Sequence, residues 1–228
     1  MPVIVAIAGP SGAGKTVLSN MLKDEGYAEI VSVTTRAPRK GEVNGVHYTF
    51  LNEAEFLELK DNNGLVESMN INGNYYGVPA AEAVRVANEG RPIVVVTDPH
   101  GLAQMNKYCE ENDWKCVRVF VNSPLDVLIE RLQERYKGDL KNLDESAPTY
   151  EQDKAKLDKT YSSRLDHVQG KEQNEWVRPA KENPELYDMI VDEFNAKVQD
   201  KVLSSISLHV ESLLQEESQP KRRRGPRP

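Results

Sequence analysis

A chain of 228 residues with 39% hydrophobic and 29% charged side chains can build one large domain, or a core with inserts, and is neither fibrous nor low-complexity in composition. No apolar run approaches the roughly 20 residues that a membrane span requires, and the N-terminal stretch has no basic region, so neither an anchor nor a leader is expected. The net charge is -7 although Lys221 to Pro228 are mostly basic, so the remaining body is more acidic than the total suggests, which argues against wrapping nucleic acid. That tail reads as a solvated, disordered end, with weak contact to nucleic acid or an acidic partner as the alternative. Cys109 and Cys116 lack metal-ligand spacing and are expected as reduced thiols in a cytoplasm.

In chain order, the apolar run Val3–Ala8 predicts a buried parallel strand. It runs into Gly9-Pro10-Ser11-Gly12-Ala13-Gly14-Lys15-Thr16, a glycine, four residues, then glycine, lysine and threonine. Val17, Leu18, Met21 and Leu22 follow at helical spacing and predict a helix over Thr16–Glu25. Strand, glycine loop and helix is the arrangement in which backbone N–H groups turn inward around a phosphate chain, with the helix N-terminus adding partial positive charge. Lys15 can then reach terminal phosphates, and the Thr16 hydroxyl can ligate magnesium.

Further strands are expected at Ile30–Val33, Ile93–Thr97, Cys116–Val121 and Met189–Val191. Helices are expected at Ala80–Asn88, with Gly90 as a stop, and at Leu102–Asn112. Another should open with Ser123 as N-cap and Pro124 in its first turn, and the last should run from Phe194 to about Glu217. Strands alternating with helices imply a parallel sheet covered on both faces. Two stretches interrupt the alternation. Thr34–Pro79 is rich in glycine, asparagine and aromatics, with one short helical pattern at Glu53–Leu59. Arg131–Glu185 is polar and charge-dense, which fits a helical flap or an extended loop.

The first insert carries Arg36 and Arg39, three apart and held by a proline, a cationic fork suited to a phosphate. Tyr48 and Tyr76 can each donate a hydroxyl to the same phosphate, or can be ordinary packing residues. The pattern Arg36-x-x-Arg39-x-Gly41-Glu42-x-Asn44-Gly45-x-x-Tyr48, followed by Glu67 and Gly73-Asn74-Tyr75-Tyr76-Gly77, resembles the acceptor domain of the guanylate kinase family. With the glycine loop, the resemblance covers about Val3 to Gly101, and more loosely Leu125–Arg135 and Tyr187–Phe194.

The resemblance implies an α/β fold of the P-loop NTPase type: a three-layer sandwich with a five-stranded parallel core sheet, a small nucleotide-acceptor insert and a flap. It implies a domain over 1–217, with core segments 1–31, 80–130 and 186–217, acceptor insert 32–79 and flap 131–185, then the basic tail 218–228. Gly9 to Thr16 would hold ATP. Arg36, Arg39, Tyr48 and Tyr76 would grip the phosphate of a nucleoside monophosphate, and Ser32 and Glu67 would face its base, with Val78 beside them. A carboxylate at Glu67 suits guanine, whose N1–H and 2-amino group form a donor pair that adenine lacks. Thr16 and Asp98 would support Mg2+; Asp98 ends a predicted strand at the sheet edge where ligands collect. Arg131 and Arg135 match flap arginines and share a helix face. Lys15, Arg36, Arg39, Arg131 and Arg135 would then promote transfer of the γ-phosphoryl group of ATP to GMP or dGMP. The implied partners are small-molecule nucleotides, with no membrane; the oligomeric state stays open.

The chain also departs from the family. Val78 stands where a serine or threonine is usual, and Val96 where an aspartate is usual, leaving the base pocket less polar at one edge. A kinase for another or modified deoxynucleotide is therefore the alternative, and His100 is a substitute donor nearby. A non-catalytic binding module is a further alternative, opposed by the intact Lys15 and Thr16. Tyr136–Pro148 looks inserted, Lys156 and Arg164 both qualify as a third flap cation, and Gly170–Pro184 has no counterpart.

Overall fold

The computed structural model describes residues 1–38, 41–71 and 73–218, with side chains placed as far as 215. Its first strand, β1 (Val3–Ala8), is buried along its whole length and lies at the centre of a five-stranded sheet. Its side chains alternate between the two faces. Val3, Val5 and Ile7 enter one core cluster, and Ile4, Ala6 and Ala8 enter the other. A strand buried on both sides needs a continuous apolar run, and VIVAIA is one.

The partners of β1 are β7 (Ile93–Val96) and β8 (Lys115–Val121); β2 (Ala28–Glu29) and β9 (Met189–Val191) form the edges. The order is β2-β7-β1-β8-β9, all parallel. Helices α1 (Lys15–Asp24), α5 (Leu125–Lys141) and α8 (Gln199–Ser218) cover one face through Leu18, Leu22, Leu128, Leu132, Ile206 and Val210. The other face is covered by α3 (Ala80–Ala87) and α4 (Pro99–Glu111), and by Val177 and Ala180 of a later segment.

Between β2 and α3 the chain builds a second, mixed sheet in the order β4-β3-β6-β5: β3 (Val33–Thr34), β4 (Thr49–Phe50), β5 (Leu65–Ile71) and β6 (Asn74–Pro79). Helix α2 (Glu53–Asp61) precedes β5, opened by a capping box between Asn52 and Glu55. Gln104 of α4 joins this sheet to the core by accepting from the Ser68 N–H at 3.2 Å and donating to its carbonyl at 3.3 Å. After α5 come α6 (Tyr150–Gln169), a wide helical turn at Gln173–Val177, and α7 (Arg178–Glu182). The charge-dense second stretch is thus helical. Stacking of Tyr136 on Tyr161, centroids 4.5 Å apart, and a Tyr136–Asp158 hydrogen bond of 2.6 Å tie α6 to α5.

Three local expectations need correction. Ile30–Val33 is not one strand: Ala28–Glu29 pairs with β7, Val33–Thr34 pairs in the second sheet, and the residues between carry the chain from one sheet to the other. Ser123 is not the cap of α5. Pro124 holds that position without a side-chain cap, and the buried Ser123 hydroxyl instead accepts from Arg131. The last helix begins at Gln199 rather than Phe194, because the buried Phe194 ring packs against Gly14 while its backbone N–H bonds the Asn122 carbonyl. The basic tail from 219 onward lies outside the described residues.

Candidate active site

The glycine loop joins the end of β1 to the start of α1. A Cβ at Gly9 would collide with the Val121 carbonyl, and one at Gly14 with the Phe194 ring; both have positive φ, 145° and 100°. Only glycine fits either position, so the loop can lie between the end of β8 and Phe194. Ala13 N–H closes a turn on the Pro10 carbonyl at 3.2 Å. Lys15 lays its stem along a cavity and buries its ammonium against the carbonyls of Gly9 (2.7 Å) and Pro10 (2.9 Å). Burial lowers its pKa to about 8, against the opposing fields of Glu172 and Asp98.

That cavity, about 520 Å³, is lined by Ser11, Gly12, Gly14, Lys15 and Thr16 of the loop and by Phe194, Asn195 and Gln199. Arg131 and Arg135 of α5 reach it from one side, as their four-residue spacing allows, and Arg164 of α6 joins them; Lys156 is exposed. Arg131 donates to the Gly12 carbonyl at 3.0 Å, to Ser123 Oγ at 3.1 Å and to the Phe194 carbonyl at 2.7 Å. It therefore braces the loop as well as adding charge.

On the side of the second sheet, Glu67 of β5 is 4% exposed, and its Oε2 has no hydrogen-bond partner among the described residues. Burial first, and the field of Asp98 second, push its pKa up to about 8. Gly101 has no side chain where Thr97 Oγ1 and Glu67 Oε2 converge, and any Cβ there would strike both. Asp98 caps α4 by accepting from Gly101 N–H at 2.8 Å. Its negative charge acts on both Lys15 and Glu67.

Arg36 is paired with Glu42 through two hydrogen bonds of 2.8 and 2.9 Å and lies 5.6 Å from the centroid of the Tyr48 ring. Tyr48 and Tyr76 meet edge to face at 6.1 Å. Arg36, Tyr48 and Tyr76 are thus brought together; Arg39 lies outside the described residues. Ser32 is half-buried just before β3, its carbonyl accepting from Thr49 N–H. Val78 faces Glu67 in the strand register and is 1% exposed, within the second core cluster; Val96 is 38% exposed and His100 is exposed.

Sequence reasoning missed Glu172, Phe194, Thr97 and the Glu42 partner of Arg36. Phe194 carries a weak signal, an aromatic three residues beyond a strand. Glu172 carries none, being one acid among many in a polar segment. For a divalent cation, the hydroxyl of Thr16, at the cavity, and the carboxylate of Asp98 are the hard-oxygen donors of the type that Mg2+ takes. No cage of three or more His, Cys, Asp or Glu side chains exists among the described residues, and such a cation needs none.

A parallel sheet, a glycine loop between its central strand and a helix, and a lysine at that helix's start define a nucleotide-binding protein of the P-loop NTPase class. A family model described as guanylate kinase matches residues 1–169. The chain belongs to the guanylate kinase family. It is 35% identical over 134 residues to the guanylate kinase of Chlamydia muridarum, covering 58% of this chain and 63% of that one. It is 35% identical over 159 residues to that of Mesoplasma florum, covering 68% of this chain and 49% of the other. The matched stretches thus span less than two thirds of these relatives. A crystal structure of guanylate kinase from Anaplasma phagocytophilum shares the fold, with a TM-score of 0.59 and 23% identity over 92% of this chain and 85% of that one.

Proposed function

We propose that the chain transfers the γ-phosphoryl group of ATP to GMP or dGMP, giving ADP and GDP or dGDP. The observation that carries this reading is Glu67, a buried carboxyl with an unpartnered oxygen, lying with Lys15 in the field of one aspartate, Asp98. A carboxylate there can accept both donors of a guanine edge, and adenine would leave it partly unpaired. The membership of the family supports the same reading.

On this reading Gly9 to Thr16 bind the phosphates of ATP, and Arg36, Arg39, Tyr48 and Tyr76 bind the monophosphate. Arg36 then exchanges or shares its Glu42 partner with the incoming phosphate. An oxygen of the monophosphate attacks the γ-phosphorus in line, without a covalent intermediate. Lys15, Arg131 and Arg135 neutralise charge on the transferring group, and Arg164 adds to them. Thr16 and Asp98 would hold Mg2+, which would supply further charge neutralisation. The acceptor sheet, residues 32–79, and the flap helices, residues 131–185, close over the substrates and keep water from the γ-phosphate. A coupled assay of ADP release across all ribo- and deoxynucleoside monophosphates tests the reading. GMP and dGMP should be the preferred acceptors; preference for any other base would refute the role of Glu67.

A further inference from the structure

Glu172 lies just after α6, beyond the residues matched by the family model, and is 5% exposed. Both of its carboxylate oxygens are used. Oε2 accepts from the backbone N–H of Ser11 at 2.7 Å, and Oε1 accepts from the Ser11 hydroxyl at 2.9 Å. Ser11 is the third residue of the glycine loop and lines the cavity beside Lys15. A carboxylate so placed offers the loop the same kind of acceptor that a phosphate oxygen does.

The consequences are electrostatic and geometric. One N–H cannot serve two anions at full strength, and two anions against one loop repel each other. The field of Glu172 also reaches Lys15, the cation that a phosphate chain would use. The wide turn that follows, Gln173–Val177, leaves Gln173 Nε2 and Trp176 Nε1 buried without partners among the described residues.

We infer that Glu172 competes with the phosphate chain of ATP for the Ser11 donors, and that ATP binds only as this carboxylate withdraws. Glu172 thereby sets the affinity of the loop for ATP. The inference rests on the reading of this loop as the ATP site.

Titration calorimetry with ATP and Mg2+ on the full chain, its Glu172→Ala variant and its Glu172→Gln variant tests it. Glu172→Ala should bind ATP at least about tenfold more tightly, since the two hydrogen bonds that Ser11 donates to Glu172 no longer have to be displaced. Glu172→Gln, which keeps a neutral acceptor, should gain less. Binding of GMP should not change in either. If the alanine variant does not fold, the glutamine variant carries the test alone. ATP binding that is unchanged or weaker in folded variants, or a kcat that falls together with weaker ATP binding, would overturn the inference and make Glu172 a brace for the loop. Absence of ATP binding by all three proteins would instead remove the ATP reading, and this inference with it.

Discussion

Buried Glu67 keeps its proton near neutral pH, where most carboxyl groups have lost theirs. Its pKa is about 8 in the folded chain and near the ordinary 4.5 in the unfolded one. Between those values the folded state holds a proton that the unfolded state has released, so stability falls as pH rises through that window and levels off above about 8. The shift corresponds to a cost on the order of 3–5 kcal/mol at the upper end. Thermal melting of wild type and Glu67→Gln from about pH 5 to pH 9 should therefore show a difference that grows in favour of the variant up to about pH 8 and then stays constant. A difference that does not change with pH would contradict the burial argument. If Glu67 reads guanine as proposed, GMP binding should release a proton below about pH 8, measurable as a buffer-dependent heat on GMP titration; a heat independent of buffer would take Glu67 out of that role. Lys15 presents the opposite case. Burial lowers its pKa to about 8, so its charge costs stability near neutral pH. Lys15→Met should keep or raise the melting temperature while turnover drops by orders of magnitude; near-normal turnover would remove Lys15 from the proposed chemistry.

At the scale of elements, the flap helices decide which cations surround the loop. Arg131 and Arg135 share a face of α5, as spacing alone foretold, but spacing could not choose between Lys156 and Arg164 on the next helix. The packing of α6 on α5 makes the choice: Tyr161 stacks on Tyr136, and Arg164, one turn further along, lines the cavity. Arg164→Ala should lower kcat by about a hundredfold, in the range seen for single donors to a transition state. Lys156→Ala should stay near wild type, and the reverse order would place α6 in another register. Where local sequence misled, tertiary contacts had overridden local preference. Ser123 has the chemistry of a helix cap, yet its hydroxyl serves Arg131. Phe194 fits the periodicity of the last helix, yet it is buried beside Gly14.

For the whole molecule, the central sheet was legible because a strand buried on both faces must be apolar throughout, as Val3–Ala8 is, and because the apolar stretches at Ile93–Val96 and at 119–121 stand out beside it. The second sheet was not, since β3 and β4 are two residues long and are held by pairing rather than by composition. Of the candidate site, the glycine loop was legible from pattern, and Arg36, Tyr48 and Tyr76 from resemblance. The acid on Ser11 was not, because only folding brings residue 172 to residue 11. The account depends on a triphosphate loop and a monophosphate cradle acting on each other's ligands. Incubation with ATP labelled in its γ-phosphate, together with GMP, examines that directly. The label should pass to GDP, with little released as inorganic phosphate; label found in inorganic phosphate alone, or left in ATP, would contradict it.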